Sequence, residues 1–224
     1  MHVKSYGDIY MKKILNKIKS IFLMLREKLF TFIRKFYLKT KKKELSNKTP
    51  SVFSSNCVGC MVLHDLGLQF NSPFVNLYLT AKDYLKFLSD PQKYLDAEFE
   101  EVTSDRTYPV GKLLDLTFYF VHYSSFNEAV TASKRRAKRI NFDNLFVIFS
   151  ERDGCDYKDL EIFDNLPFKN KVVFTHKPYS EIKSSFYISG FEKENELGSI
   201  LSWDKKIGRK IYDRFDFVKW FNNH

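Results

Sequence analysis

The stretch KRRAKRINFDNLFVIFSERDGC, Lys134 to Cys155, places a cationic cluster, an apolar run and a polar turn in succession. The apolar run Leu145–Phe149 is short and rich in aromatic and β-branched residues, which is typical of a strand buried on both faces. Four other segments have the same character and are predicted to be strands: Val52–Ser55, Val75–Leu79, Leu116–Val121 and Val172–Thr175.

Helical patterns separate these predicted strands. They cover Val58–Leu66, Lys82–Leu88, Phe126–Ile140 and Tyr157–Asn165, and a last amphipathic helix is predicted in the tail that contains Phe217, Trp220 and Phe221. Alternation of strands and helices predicts an α/β fold with a Rossmann-like, mostly parallel sheet and helices on both faces.

The cationic cluster belongs to the end of a predicted helix. Ser125 and Glu128 form a capping-box pattern, so the helix begins there and Arg135, Arg136 and Arg139 fall in its last turns. Cations at a helix C-terminus complement the helix dipole without any ligand. The cluster also lies near the start of the following strand, whereas open α/β sheets bind ligands beyond the carboxyl ends of their strands. We therefore expect it to lie outside the ligand site.

Polar turns follow the predicted strands, at the edge where a ligand site is expected. The candidate residues in these turns are Asn56 and Gly59, His122 and Ser124, Arg152 and Asp153, and Thr175, His176 and Lys177. Imidazoles, cations, a carboxylate and helix N-termini together would suit an anionic, oxygen-rich ligand. The alternative is that these loops are polar only because they are exposed to solvent.

The charge of the chain is unevenly distributed. Residues 1–43 contain 13 Lys and Arg but two acids, whereas the remainder contains 24 Lys and Arg and 25 Asp and Glu. The globular part is therefore close to neutral, which argues against nucleic acid as a partner.

The basic segment has apolar residues at helical spacing, so residues 1–43 are predicted to form a basic amphipathic helix. Residues 44–50 are predicted to be a linker and residues 51–224 the globular domain. The helix is too interrupted by charge to cross a bilayer. Its pattern favours an anionic membrane surface, and the alternative is packing on its own domain or on a partner. Both Met1 and Met11 are compatible with a translation start.

The three cysteines favour a reducing, cytoplasmic setting, because their number is odd and no secretory signal precedes them. Cys57 and Cys60 form a CxxC pattern, but a single further cysteine makes a metal site a weak interpretation, and buried structural thiols are the simpler one. The motifs GxGxxG, GxxxxGK[ST], GxSxG and HExxH are absent from the sequence, so no metal and no cofactor is predicted from them.

Several segments resemble a bacterial family known as domain of unknown function 1919, often labelled exopolysaccharide biosynthesis protein. They include SSNCVGC, YPVGKLLDLTFYFVHYSSFNEA and FDNLPFKNKVVFTHKPY, and the resemblance extends from about Phe53 to Asn222. At the first turn this chain has Ser55, Val58 and Cys60 where the family usually has Asn-Asn-Cys-Trp-Gly-Gly.

This resemblance implies a role in surface-polysaccharide assembly. We expect a glycosyltransferase at the inner face of the cell membrane, with a nucleotide sugar as donor and a lipid-linked glycan as acceptor. Arg152 and Lys177 would bind the donor phosphates, and Asp153, His122 or His176 would act as the base. Asn56, Gly59, Ser124 and Thr175 are further candidates for substrate contacts. The alternative is a non-catalytic tethering or regulatory component of a polysaccharide-assembly complex.

Overall fold

The computed structural model describes residues 6–223, with side chains from Met11 onward. The helices are α1 Tyr6–Glu44, α2 Val58–Leu66, α3 Ala81–Ser89, α4 Pro91–Leu95, α5 Phe126–Ala137, α6 Tyr157–Asn165 and α7 Phe217–Asn222. The strands are β1 Ser51–Ser54, β2 Phe99–Val102, β3 Val110–Leu113, β4 Leu116–Tyr119, β5 Leu145–Ser150, β6 Asn170–Thr175, β7 Ser185–Tyr187, β8 Trp203–Asp204 and β9 Arg209–Lys210.

The main sheet has four parallel strands in the order β1-β5-β6-β7. Successive residues of β5 enter different cores, as the twofold repeat of a strand requires. Phe146 and Ile148 pack in a core with α2 and α7, whereas Val147 and Phe149 pack in a second core with α3 and α6. The predicted α/β fold, with a parallel sheet and helices on both faces, is therefore confirmed.

The segment Leu116–Val121 does contain a strand, but the prediction that this strand belongs to the parallel sheet is wrong. Residues 116–119 form β4, which joins an antiparallel sheet in the order β2-β3-β4 and not the parallel sheet. A two-residue turn, Leu114-Asp115, connects β3 to β4, and Leu114 has a φ of 56°. Such hairpin turns usually carry Asn-Gly or Asp-Gly, so the sequence gives little sign of this hairpin.

The predicted strand Val75–Leu79 is also wrong. Asn76 adopts a φ of 61°, in the left-handed region, and this interrupts the extended backbone. The segment forms a single bridge, between Tyr78 and Tyr119, and the Leu79 N–H donates to the Ser55 carbonyl at 3.0 Å. It therefore lies across the end of β1 as a loop.

Helix α5 begins as predicted and ends earlier than predicted. The Ser125 hydroxyl accepts a hydrogen bond from the Glu128 N–H at 3.3 Å, but the helix stops at Ala137 and not at Ile140. In the last turn of the helix, Arg136 donates to the Tyr123 hydroxyl, and just beyond the helix Arg139 donates to the Phe70 carbonyl at 2.6 Å. These two cations of the cluster are thus engaged by the protein itself.

Helix α1 contacts the domain through its C-terminal half. Arg34 is buried between Asp65 and Asp213, Lys41 forms an ion pair with Asp216, and the Arg209 guanidinium lies 4.1 Å from the centre of the Tyr37 ring. Within residues 6–223, no helix is long and apolar enough to cross a membrane.

Candidate active-site cleft

A cleft of about 220 Å³ lies at the carboxyl ends of β1 and β5. We call it the strand-end cleft. Its lining comprises Asn56, Cys57 and Val58 at the start of α2, Ser150, Arg152 and Asp153 after β5, the side chains Tyr78 and Val121, and the segment 199–201. The sequence-predicted residues Asn56, Arg152 and Asp153 are therefore brought together.

Asp153 lines this cleft from a tightly turned and fixed stretch of backbone. It adopts a φ of 59° and is followed by Gly154 at 83°, so two left-handed residues turn the chain directly after β5. Its backbone is fixed on both sides, because the Asp153 carbonyl accepts from the Ala81 N–H at 3.0 Å and its N–H donates to Glu196 Oε2 at 3.0 Å.

The electrostatic surroundings of Asp153 raise the pKa of its carboxyl above the ordinary value. Burial raises the pKa of the Asp153 carboxyl, and the charge of Glu196 adds to this effect, although Arg152 opposes it. The Arg152 Nε lies 3.2 Å from Asp153 Oδ2, and the Arg152 side chain is 31% exposed. A carboxylate with a raised pKa is a stronger base, and the adjacent guanidinium can bind an anion from the solvent side.

The N-terminus of α2 is already occupied by the protein's own acceptors. Asn56 Oδ1 accepts from the Val58 N–H at 3.1 Å, and Ser54 Oγ accepts from the Gly59 N–H at 3.2 Å. Gly59 is also a packing residue, since a Cβ there would lie 2.7 Å from the Ser54 Cβ. These two N–H groups are therefore satisfied within the protein, and Arg152 is the cation that lines the cleft.

Cys57 and Cys60 form an interacting thiol pair beside the cleft. Cys57 is the residue that precedes α2, and the Cys60 thiol donates to the Cys57 carbonyl at 3.2 Å. The hydrogen bond between the two thiols lowers the pKa of Cys60 to about 7 and raises that of Cys57. Among residues 11–223, no group of three or more His, Cys, Asp or Glu side chains could hold a metal ion.

His176 belongs to a buried network at the end of β6 and does not line the cleft. It is 3% exposed, and its Nδ1 lies 2.6 Å from Oε2 of Glu151, which is itself buried. Glu151 Oε2 also accepts from the His176 N–H at 2.8 Å, and Oε1 accepts from the Tyr179 hydroxyl at 2.7 Å. Thr175 is fully buried, and its hydroxyl donates to the Lys177 carbonyl at 2.8 Å.

Three buried polar atoms at the strand ends lack a hydrogen-bond partner among the described residues. They are Ser55 Oγ after β1, Ser150 Oγ at the end of β5 and His176 Nε2 after β6. Buried polar groups are normally hydrogen-bonded, so orphans at the ends of three adjacent strands mark a place where a polar ligand or water would gain contacts.

The remaining predicted residues lie elsewhere. His122 and Lys177 are exposed and do not line the strand-end cleft. Ser124 lines a separate cleft of about 720 Å³ beside β2 and β3, and its N–H donates to Glu128 Oε2 at 3.2 Å. The expectation that the polar turns share one edge of the sheet is therefore wrong for His122 and Ser124, because β4, which precedes them, belongs to the other sheet.

Two residues that sequence reasoning missed are important here. Tyr78 lines the cleft, and its ring stacks on Tyr119 with centroids 4.5 Å apart and planes 7° apart. Glu151 organises His176 and Tyr179. The signal for Glu151 was its position directly after a buried strand, whereas nothing in the sequence marks Tyr78.

Comparison with known proteins places these residues in a family context. Residues 28–222 match the family described as Domain of unknown function (DUF1919). A protein of Haemophilus influenzae named "Uncharacterized protein" is 49% identical over 190 residues, which cover 85% of this chain and 92% of that protein. The matched region contains the strand-end cleft and the half of α1 that contacts the domain.

Proposed function

We propose that this chain, which belongs to the DUF1919 family, is a transferase of bacterial surface-polysaccharide assembly. The proposed reaction is sugar transfer from a nucleotide-activated donor to a lipid-linked glycan at the inner face of the cell membrane. The observation that carries the proposal is the strand-end cleft, in which the Asp153 carboxylate, the Arg152 guanidinium and the orphaned Ser150 hydroxyl meet at the carboxyl ends of parallel strands.

Each chemical requirement of sugar transfer has a candidate in the cleft. The acceptor hydroxyl must lose a proton, and Asp153, whose pKa is raised by burial, would accept it. The leaving diphosphate gains negative charge, and Arg152 would stabilise it through charge-assisted hydrogen bonds. The stacked rings of Tyr78 and Tyr119 offer a flat surface for a base or a sugar ring.

The structure changes the roles that we assign to the other candidates. Because its imidazole is buried, His176 would not accept the proton itself; it would affect the reaction only through its hydrogen bond with Glu151. Lys177 and His122 would contribute only if the substrate extended beyond the cleft. We retain the description of the sheet as Rossmann-like as part of this proposal, supported by four parallel strands with helices on both faces.

A thermal-shift screen against nucleotide sugars, with and without a divalent ion, tests the proposal. One donor should raise the melting temperature of the wild-type protein, and Arg152→Gln should reduce that shift. Arg135→Gln is the matched control, since Arg135 is an exposed cation at the end of α5. If no donor in a complete panel shifts the melt, the tethering function should replace the transferase, and the exposed apolar side of α1 favours that alternative.

A further inference from the structure

Helix α1 carries an apolar stripe on the side that faces away from the domain. Six residues at alternating spacings of four and three define it, and each is 55–64% exposed: Ile18, Phe22, Leu25, Leu29, Phe32 and Phe36. We call this set the outer stripe. Burying one large apolar side chain is worth roughly 1.5–3 kcal/mol, so a row of six exposed ones indicates an interaction surface.

The domain contacts lie on the opposite side of the same helix. Arg34 is 9% exposed, and its guanidinium is bound by Asp65 and Asp213. At about 100° of rotation per residue, Leu25 and Phe36 stand about 180° and 200° from Arg34. The ordinary arrangement, in which a helix packs its apolar face on its own domain, is therefore inverted here.

The charges beside the outer stripe indicate what covers it. The positions that flank the stripe hold Lys19, Arg26, Lys28 and Lys35, together with Ile21 and Ile33, and none of them is acidic. In a coiled coil with a second copy of this chain, these positions would have to supply the ion pairs between the helices, but with no acid among them the cations would gather without a counter-charge. An anionic bilayer instead accepts the apolar side chains and attracts the flanking cations.

We propose that the outer stripe is a docking surface for an anionic lipid bilayer. The helix lies in the interface with Phe22, Leu25 and Phe32 among the acyl chains, and the domain stands on the side of the helix that faces the cytoplasm. Because Arg34, Lys41 and Tyr37 fix the C-terminal half of α1 to the domain, membrane binding also sets the orientation of the domain. The inference names the surface for the membrane location assumed in the proposed function.

Vesicle flotation of the full chain tests this surface without any donor, so it can fail or succeed independently of the transferase. Wild-type protein should float with vesicles of phosphatidylglycerol and phosphatidylcholine and remain unbound with phosphatidylcholine alone. Leu25→Gln/Phe32→Gln should weaken binding at least tenfold. The matched control is Leu114→Asn/Ile162→Gln, which removes two side chains of similar exposure, 53% and 51%, outside α1.

Salt and self-association supply the remaining outcomes. Lys28→Gln/Lys35→Gln should also weaken binding and reduce its dependence on salt, because screening acts on those charges. Equal binding to both kinds of vesicle, or no effect of Leu25→Gln/Phe32→Gln, would overturn the proposal. So would sedimentation showing a wild-type dimer that Leu25→Gln/Phe32→Gln converts to a monomer, because the stripe would then bind a second copy.

Discussion

Arg34 Nε donates to Asp213 Oδ2 at 2.9 Å, although 179 residues separate the two positions in the chain. The same guanidinium binds Asp65 and the Tyr212 hydroxyl, so one side chain of α1 closes a buried polar cluster of the domain. Burial alone would lower the pKa of Arg34, but the two carboxylates raise it, and the residue is a permanent cation.

Replacing this cation should destabilise the whole domain. Arg34→Met retains much of the apolar volume but leaves Asp65 and Asp213 without their partner. Breaking a buried ion pair from one side costs about 3–5 kcal/mol, and we expect a loss of this order in chemical denaturation. Lys35→Met, at the exposed neighbouring position, is the control and should unfold close to the wild type. Equal loss in both variants would mean that the change acts through α1 in general.

Asp65 should make the stability sensitive to acid. Burial by itself would raise the pKa of Asp65, but hydrogen bonds from Arg34 and Tyr212 outweigh this effect, and the pKa is lowered. A lowered pKa means that the folded state favours the ionised form, so the contribution is complete above the unfolded pKa of about 3.9 and disappears as the pH falls below it.

The difference in unfolding free energy between wild type and Asp65→Asn should therefore be largest near neutral pH and should narrow below about pH 4. Asp143→Asn, the same change at an exposed carboxylate, is the control and should stay within about 0.5 kcal/mol of wild type near neutral pH. A difference that stays constant down to acid pH would contradict the ion-pair explanation.

The sequence was informative where local pattern determines structure. The strands β1, β5 and β6 and the helices α2 and α6 were predicted closely, because apolar run length and helical periodicity are local signals. Pairing partners are not local. The hairpin at Leu114 and the left-handed Asn76 changed the positions of two predicted strands, and neither residue type signals a turn as strongly as Gly.

The candidate site also combines residues that local sequence signals predict with residues whose position depends on strand pairing. Arg152 and Asp153 could be predicted because they directly follow a buried strand, and the sheet then places them at its carboxyl edge. His122 could not be excluded from sequence, since its exclusion depends on β4 pairing with β3 and not with the parallel strands. Tyr78 enters the cleft only because the loop 75–79 crosses the end of β1.

A substitution at Gly59 tests whether this residue serves helix packing or ligand binding. A Cβ at this position would lie 2.7 Å from the Ser54 Cβ and 3.0 Å from the Val52 Cγ1, so α2 could not approach β1 as closely. We expect Gly59→Ala to cost about 1–3 kcal/mol of unfolding free energy, as overpacking usually does. His64→Ala, a change at the exposed side of the same helix, should stay within about 0.5 kcal/mol of wild type. A loss of donor affinity with unchanged stability would instead make Gly59 a ligand contact.

Cys60 should be the first thiol to ionise. The hydrogen bond with Cys57 lowers the pKa of Cys60 to about 7, whereas the pKa values of Cys57 and Cys155 are raised. Ultraviolet thiolate absorbance should therefore rise with a midpoint near pH 7 and an amplitude of one thiol per chain. Cys60→Ser should abolish this step, and Cys155→Ser should leave it intact. A step that survives in Cys60→Ser would assign the acidic thiol to another cysteine.

Asp153→Asn tests the proposed base and also its effect on stability. With the donor that the thermal screen identifies, turnover should fall about 100-fold or more, because the amide cannot accept the proton, and donor affinity should change little.

The free energy of unfolding of Asp153→Asn should not fall below that of the wild type. Since the folded state raises the pKa of Asp153, it disfavours the carboxylate at neutral pH, and Asn removes this cost while tolerating the left-handed φ of 59°. Asp153→Ala lacks that tolerance and should be less stable than Asp153→Asn by about 1 kcal/mol.

Two histidine variants serve as comparisons for turnover. His122→Gln, at an exposed position outside the cleft, should retain turnover. His176→Gln should lower turnover and stability together because it disrupts the Glu151 network. Full turnover in Asp153→Asn would remove the carboxylate from the reaction, and full turnover in all three variants would leave the cleft without a base.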